Sequence, residues 1–367
     1  MKAIDYENNL VGVPNSVLKY YGIEPLNKTD SVIDGYLESC DPKNVIVILC
    51  DGLGFNYLKS TMDNNCFLLR NLVKPITTVF PPTTVAATTS VISGLYPNQH
   101  CWLGWDNYIS EIDKVVSMFS NKEKDTDNYF DVPYFCNKFF SYETIFDLIN
   151  KSGKAEAYYI SPHGGIKYDS FEEMCETIIK ISSNEGKKFI YAYYENPDVL
   201  MHKYGLQSIE VLNNVNMINN QLECLSNELQ DALIVIVADH GLTENKYIYI
   251  QDDKEFFDCL LHTTSIDSRA SMFFLKSNCK SKFLEIFKER YAEYFILMSK
   301  QEILDKHLFG IGSNHQRFES CLGDYIAIAT SNVSFKYLRD NKKVLANHSG
   351  LTSDEVDVPL ILYRSKK

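Results

Sequence analysis

Three continuous apolar runs constrain this chain most strongly: residues 45–50 (VIVILC), 189–194 (FIYAYY) and 232–238, with LIVIV at its centre. Short runs without polar alternation suit strands buried on both faces, the condition of a parallel sheet. Between and around them lie helical patterns at 141–150, 171–182 and 209–229, and a further short strand at 157–161. That alternation predicts an α/β domain, a doubly wound and mostly parallel sheet. Each run closes on acid. Asp51 follows the first, Asp198 ends the Glu195-Asn196-Pro197-Asp198 phrase after the second, and Asp239-His240 follows the third. The C-terminal edge of such a sheet is where open α/β folds hold their ligands.

Residues 78–97, TVFPPTTVAATTSVISGLYP, read as a strand end, a Pro-Pro stop and a short helix beginning at Thr83 or Thr84 and ended by Gly94. A hydroxyl there sits among unpaired N–H groups at the positive end of the helix dipole. By itself the pair of threonines is explained as a helix cap. The acidic and histidine phrases make the stronger case: Asp51, Asp198 with His202 four residues on, Asp239 with His240, and an isolated His348. Singly, these are a turn residue, a surface i,i+4 pair and two strand-end polar groups. Together they supply three carboxylates and three imidazoles, the oxygen and nitrogen donors that zinc accepts. Two zinc ions against three Asp leave charge for one further anion, which a Thr84 alkoxide would supply.

After residue 250 the rhythm changes. Strand patterns at 271–276, 295–299 and 324–330 alternate with helical patterns at 280–292 and 301–308, before a last strand at 358–363. The expected organisation is a metal-binding α/β core of residues 1–245 and 345–367, with residues 250–340 inserted as a small α+β cap subdomain. Residues 58–72 read as a helix, and 100–135, rich in Asp, Asn and Tyr, as a long surface excursion. A formal net charge of −12 argues against a polyanionic nucleic-acid partner. The start, MKAIDYENNL, lacks the apolar core of an export signal, and no run approaches a membrane span. Ten scattered cysteines without a CxxC pair suit free thiols in a reducing cytoplasm.

The phrases CDGLG, FPPTTVAATTSVISGLYPNQH, NPDVLMHKYG, VADHG and NHSGLTSDEVDVPLIL resemble the alkaline phosphatase superfamily, most of all its type I phosphodiesterase/nucleotide pyrophosphatase branch. The resemblance covers residues 44–107, 189–241 and 345–363. It implies Thr84, rather than Thr83, as nucleophile, counting back from Gly94. It implies one zinc on Asp51, Asp239 and His240, touching Thr84, and another on Asp198, His202 and His348. Asn107 matches the residue that holds a non-bridging phosphate oxygen. Two departures stand out: the HCWLGWDN loop is about two residues longer than the family form, and Thr83 replaces the Lys that often precedes the nucleophile in nucleotide-hydrolysing members.

The chemistry implied is hydrolysis of phosphodiester or pyrophosphate bonds in a small phosphate ester through a covalent phosphothreonine. The cofactors would be two divalent metal ions, zinc first and manganese as the alternative, since the same donors serve both. No Arg or Lys adjoins Thr84 or Asn107, which favours a diester over a dianionic monoester, unless Lys203 or Arg317 reaches in. Alternative readings are a phosphomonoesterase, a phosphonate hydrolase, or an inactive binding protein on the same fold. The insertion also resembles the second domain of manganese-preferring phosphomutases. His100, His163, His262, His307 and His315 are expected to be structural, with His315 the best exception. Trp102 and Trp105 are expected to form an aromatic wall beside Asn107. The sequence leaves the oligomeric state and the natural substrate open.

Overall fold

Strand Asn44–Cys50 is buried along its whole length and lies at the middle of a seven-stranded, mostly parallel sheet. Residues 1–131, 135–340 and 343–366 are described by the computed structural model. Across the sheet the order is Leu72–Thr77, Asp357–Arg364, Ala232–Val237, Asn44–Cys50, Lys188–Tyr194, Glu156–Ser161 and Gly164–Gly165. The four from Ala232–Val237 to Glu156–Ser161 run parallel. Their register aligns the exits: Cys50 faces Tyr194, and Leu49 faces Val237. Asp51, Asp198 and Asp239 therefore leave the sheet at one edge. The antiparallel strand Asp357–Arg364 begins at that same edge, its Asp357 opposite Thr77, which returns the segment carrying His348 to the site.

Helices Phe171–Ser183 and Ile209–Glu228 pack on each other, each entered through a serine that accepts a helix N–H. Residues 58–72 do not form one helix. The pieces Phe55–Thr61 and Phe67–Arg70 are separated by a turn in which Asn65 N–H donates to Asp63 Oδ1 at 2.7 Å, and strand Leu72–Thr77 follows. Its Lys74 and Pro75 interrupt the apolar pattern, as an edge strand tolerates and a central one does not. Before the first central strand the chain also forms a helix, Ser31–Cys40, capped by Asp30.

A second seven-stranded sheet runs Phe295–Ser299, Tyr325–Ala329, Ala270–Phe273, Ser265–Ile266, Asp106–Ile109, Lys114–Ser117 and Lys122–Glu123. Part of the stretch expected to be a surface excursion thus supplies three strands; residues 132–134 of it lie outside the described residues. Asn107 and Ile109 alternate inward, a period-2 pattern too short to stand out among polar neighbours.

Arg269, just before strand Ala270–Phe273, joins the second sheet to the chain just after His348. Its guanidinium grips the Glu355 carboxylate at 2.6 and 2.8 Å and also donates to the Val333 and Ser331 carbonyls. Glu355 in turn accepts from Gly350 N–H and Thr352. Both charged side chains have 0% exposure. Removing one partner strands the other charge in the interior, so Arg269→Ala is expected to cost about 3–5 kcal/mol in urea unfolding. A loss below about 1 kcal/mol, the range of an exposed pair, would contradict this account.

Candidate metal centre

At the shared strand edge the backbone stitches the exits together. Asp51 N–H donates to the Tyr194 carbonyl at 2.9 Å, and Asp198 N–H to the Asp51 carbonyl at 3.1 Å. Gly52 makes the approach possible. It sits at φ +75°, and a Cβ there would lie 2.8 Å from Asp198 Cβ. Its N–H donates to Asp239 Oδ1 at 3.1 Å, tying the third carboxylate to the first.

Three carboxylate oxygens then face inward without a hydrogen-bond partner among the described residues: Asp51 Oδ1, Asp198 Oδ1 and Asp239 Oδ2. Buried anionic oxygens left this way are costly unless a cation receives them. Burial, then the charges of Asp239 and Asp198, pushes the Asp51 carboxyl well above its ordinary range. Burial likewise raises Asp239. Asp198 goes the other way: burial opposes its ionisation, but His202, by charge and hydrogen bond, then His348 and His240, hold it below the carboxylate range.

The imidazoles are presented uniformly. His202 Nδ1 bonds the Ala346 carbonyl at 2.7 Å, His240 Nδ1 the Gly241 carbonyl at 3.2 Å, and His348 Nδ1 the Pro82 carbonyl at 3.0 Å. A carbonyl only accepts, so each Nδ1 carries a proton. That turns the Nε2 of His240 and His348 to the centre, while His202 Nε2 faces Asp198; against burial, the charge and hydrogen bond of Asp198 raise this imidazole. His240 Nε2 lies 3.4 Å from Asp51 Oδ1 and 3.5 Å from Asp239 Oδ2; His202 Nε2 lies 3.2 Å from Asp198 Oδ2. Burial and then the neighbouring His240 hold His348 far below the usual histidine range, the unprotonated form a metal requires.

Two groups have ligand atoms within 4.8 Å of one another: Asp51, Asp239 and His240, and Asp198, His240 and His348. His240 is therefore in reach of both, while His202 joins through Asp198. With oxygen and nitrogen donors only, the set fits a zinc- or manganese-type ion. One supporting residue escaped the sequence. Tyr193 donates to Asp51 Oδ2 at 2.5 Å, leaving Oδ1 as the free ligand atom. Its signal was a hydroxyl inside an otherwise apolar strand, where a buried phenol needs a partner.

Helix Thr84–Ser93 starts beside this cluster and ends at Gly94 with φ 73°. Thr84 Oγ1 lies 3.3 Å from His240 Nε2. Thr83 does not cap the helix; its hydroxyl donates to Asp267 Oδ2 at 2.9 Å. Without a side-chain cap, the first helical N–H groups remain able to bind an anion.

Asn107 is placed differently. Its Nδ2 donates to the Cys101 carbonyl at 2.7 Å and its Oδ1 accepts from Leu103 N–H at 3.3 Å, closing the 101–107 loop. Among the described residues no hydrogen bond joins it to Thr84 or to the cluster; one Nδ2 hydrogen is left for a ligand. Trp102 is a buried anchor donating to the Phe140 carbonyl at 2.8 Å, so the expected wall reduces to Trp105, 40% exposed and edge-on to Phe119. His100 is buried between Ser90 and Trp102 N–H, and burial pulls it down to about 3. His315 accepts from Arg317 N–H, and Arg317 itself pairs with Glu111. His163 and His262 pair with Glu195 and Asp113, and His307 occupies a left-handed turn. Lys203 lies exposed over the Tyr204 ring.

The family model for type I phosphodiesterase/nucleotide pyrophosphatase matches residues 45–318. Among solved structures, murine ectonucleotide pyrophosphatase/phosphodiesterase 5 superposes with a TM-score of 0.67 at 17% identity, over 86% of this chain and 87% of that chain. An inactive threonine-to-alanine variant of that murine protein, in complex with AMP, gives 0.65 at 18% identity, over 86% and 87%. Phosphonoacetate hydrolase from Sinorhizobium meliloti 1021, in complex with phosphonoformate, gives 0.64 at 18% identity, over 88% and 91%. These likenesses establish the fold, an alkaline-phosphatase-type mixed α/β architecture around a mostly parallel sheet.

Proposed function

This chain belongs to the type I phosphodiesterase/nucleotide pyrophosphatase family of metal-dependent hydrolases, and from that membership we propose that it cleaves phosphodiester or pyrophosphate bonds through a phosphothreonine at Thr84. One observation carries the reading: three buried carboxylate oxygens have no hydrogen-bond partner among the described residues, ligand atoms of Asp51, Asp198, Asp239, His240 and His348 gather in two overlapping groups, and His240 Nε2 lies 3.3 Å from the helix-terminal Thr84 hydroxyl. When bound, two divalent ions, zinc by preference, supply the charge that ionises the hydroxyl and stabilises the leaving oxygen.

The protein's own groups do the rest. Asp51, Asp239 and His240 are assigned to one ion; Asp198, His202 and His348 are assigned to the other. Tyr193 and the three carbonyls keep these ligands in a single orientation. Thr84 Oγ attacks phosphorus in line; the bond to the leaving oxygen breaks, and that oxygen departs with the electron pair and takes a proton from water. Water then cleaves the new phosphorus–oxygen bond, returning the hydroxyl and releasing phosphate or a phosphomonoester. The uncapped helix N–H groups and the spare Asn107 N–H steady the non-bridging oxygens. AMP in the murine relative and phosphonoformate in the bacterial one support a small phosphate- or phosphonate-bearing ligand. We assign the inserted residues 250–340 to a cap beside the site, and the ten free cysteines suit a reducing, cytoplasmic setting.

The test is hydrolysis of bis-p-nitrophenyl phosphate against p-nitrophenyl phosphate after chelation and zinc add-back. Zinc-dependent turnover favouring the diester is expected. A preference for the monoester would move the assignment to a phosphatase or phosphonate hydrolase. No turnover, with fewer than two ions per chain by metal analysis, would overturn it.

A further inference from the structure

Asp267 comes from the inserted segment, immediately after strand Ser265–Ile266. That strand pairs with Ala270–Phe273 on one side and, through Ile266 and Asp106, with Asp106–Ile109 on the other. Ile266 is 1% exposed and has φ +74°. A β-branched residue in the left-handed region is strained, and such strain persists only where surrounding contacts enforce it. The neighbouring backbone conforms: a Cβ on Gly104 would lie 2.6 Å from the Ile266 carbonyl oxygen.

The kink turns Asp267 against the nucleophile loop. Its Oδ2 accepts the Thr83 hydroxyl at 2.9 Å and its Oδ1 accepts Ser268 N–H at 2.7 Å. The Ser349 hydroxyl, next to His348, also favours its anion, and its charge is felt at His202. Burial raises this carboxyl, while the three donors favour its anion. No Lys, Arg or His among the described residues forms an ion pair with it, whereas nearby Asp106 is matched by Lys124 at 3.0 Å.

We propose that Asp267 sets the charge class of the substrate: its carboxylate, held on Thr83 one residue before Thr84, disfavours dianionic phosphate monoesters and so selects monoanionic diesters. This deepens the function proposed above and rests on the same site. With Thr84 still protonated, two divalent ions against Asp51, Asp198 and Asp239 leave one positive charge. Asp267 offsets it and brings the site near neutrality, so a dianion, carrying twice the charge, loses more attraction than a monoanion. The low dielectric of a buried site makes that difference large.

Titration calorimetry of the zinc-loaded full chain at pH 8 tests this, with inorganic phosphate as the dianion and dimethyl phosphate as the monoanion. Asp267→Asn is expected to tighten phosphate about tenfold or more relative to dimethyl phosphate. Thr83→Lys, which neutralises the same charge from the other side, should move the ratio in the same direction and stands in if Asp267→Asn does not fold. Thr83→Val, which removes the hydrogen bond and keeps the charge, should leave the ratio unchanged. An unchanged ratio in both charge variants, or an equal shift in Thr83→Val, overturns the proposal, as does a wild-type protein that binds neither ligand. Because the readout is binding, the expected shifts in a protein that hydrolyses neither nitrophenyl ester would sustain the role of Asp267 while the hydrolytic assignment fails.

Discussion

Thr84→Ala is expected to yield a folded protein whose diester turnover has fallen by on the order of 10⁴-fold or more, the scale at which removal of a nucleophile is felt. The side chain is small, 6% exposed, and makes a single contact of consequence, 3.3 Å to His240 Nε2. Its loss costs little packing, and alanine is a better helix former than threonine. Unfolding midpoint and zinc content should stay close to wild type, so the defect lies in chemistry. In the wild-type protein, acid quenching during diester turnover should trap the substrate's phosphoryl group, with its remaining ester, on the peptide spanning residues 78–97, and the variant should trap none. Turnover within about tenfold of wild type would remove Thr84 from the covalent step.

Asp239→Asn addresses the metal. Asp239 has 0% exposure; Oδ1 accepts from Gly52 and His240 N–H, while Oδ2 has no hydrogen-bond partner among the described residues. An amide can keep its oxygen on the two N–H groups and so preserve the fold, but it then offers an NH₂ where a ligand oxygen is needed. Without metal the variant should be more stable than wild type, because Asp51 is raised first by burial and next by the charge of Asp239. With metal the order reverses. An ion at 100 times its dissociation constant stabilises the native state by about 2.7 kcal/mol, and the variant forgoes that for the site shared by Asp51, Asp239 and His240. The thermal upshift on adding zinc should shrink, zinc content should fall by about one ion per chain, and diester turnover should drop on the order of 10³-fold or more. An unchanged upshift would mean that Asp239 does not hold metal.

Much of this architecture was written locally. The runs at 45–50, 189–194 and 232–238 had no polar alternation because both faces of each strand are covered, and that alone implies a parallel sheet. Parallel strands share an exit edge, so Asp51, Asp198 and Asp239 could be grouped before any coordinates. Gly94 marked the end of the Thr84 helix for an equally local reason, its left-handed backbone.

What escaped was set by partners distant in the chain. Strand Leu72–Thr77 survives its lysine and proline only because it lies at the sheet edge. The strands within 106–123 become visible only once residues 265–329 arrive to pair beside them. The proton positions on His202, His240 and His348 depend on the carbonyls of Ala346, Gly241 and Pro82, and two of those lie more than a hundred residues away in the chain. Nothing in the local sequence marks Asp267, yet it reaches Thr83 across 184 residues. The sequence by itself determined which segments are buried and which acids end them, since burial leaves its mark in local periodicity. Only the tertiary structure decided what each buried polar group faces, because register and crossover, rather than neighbours in the chain, choose its partner.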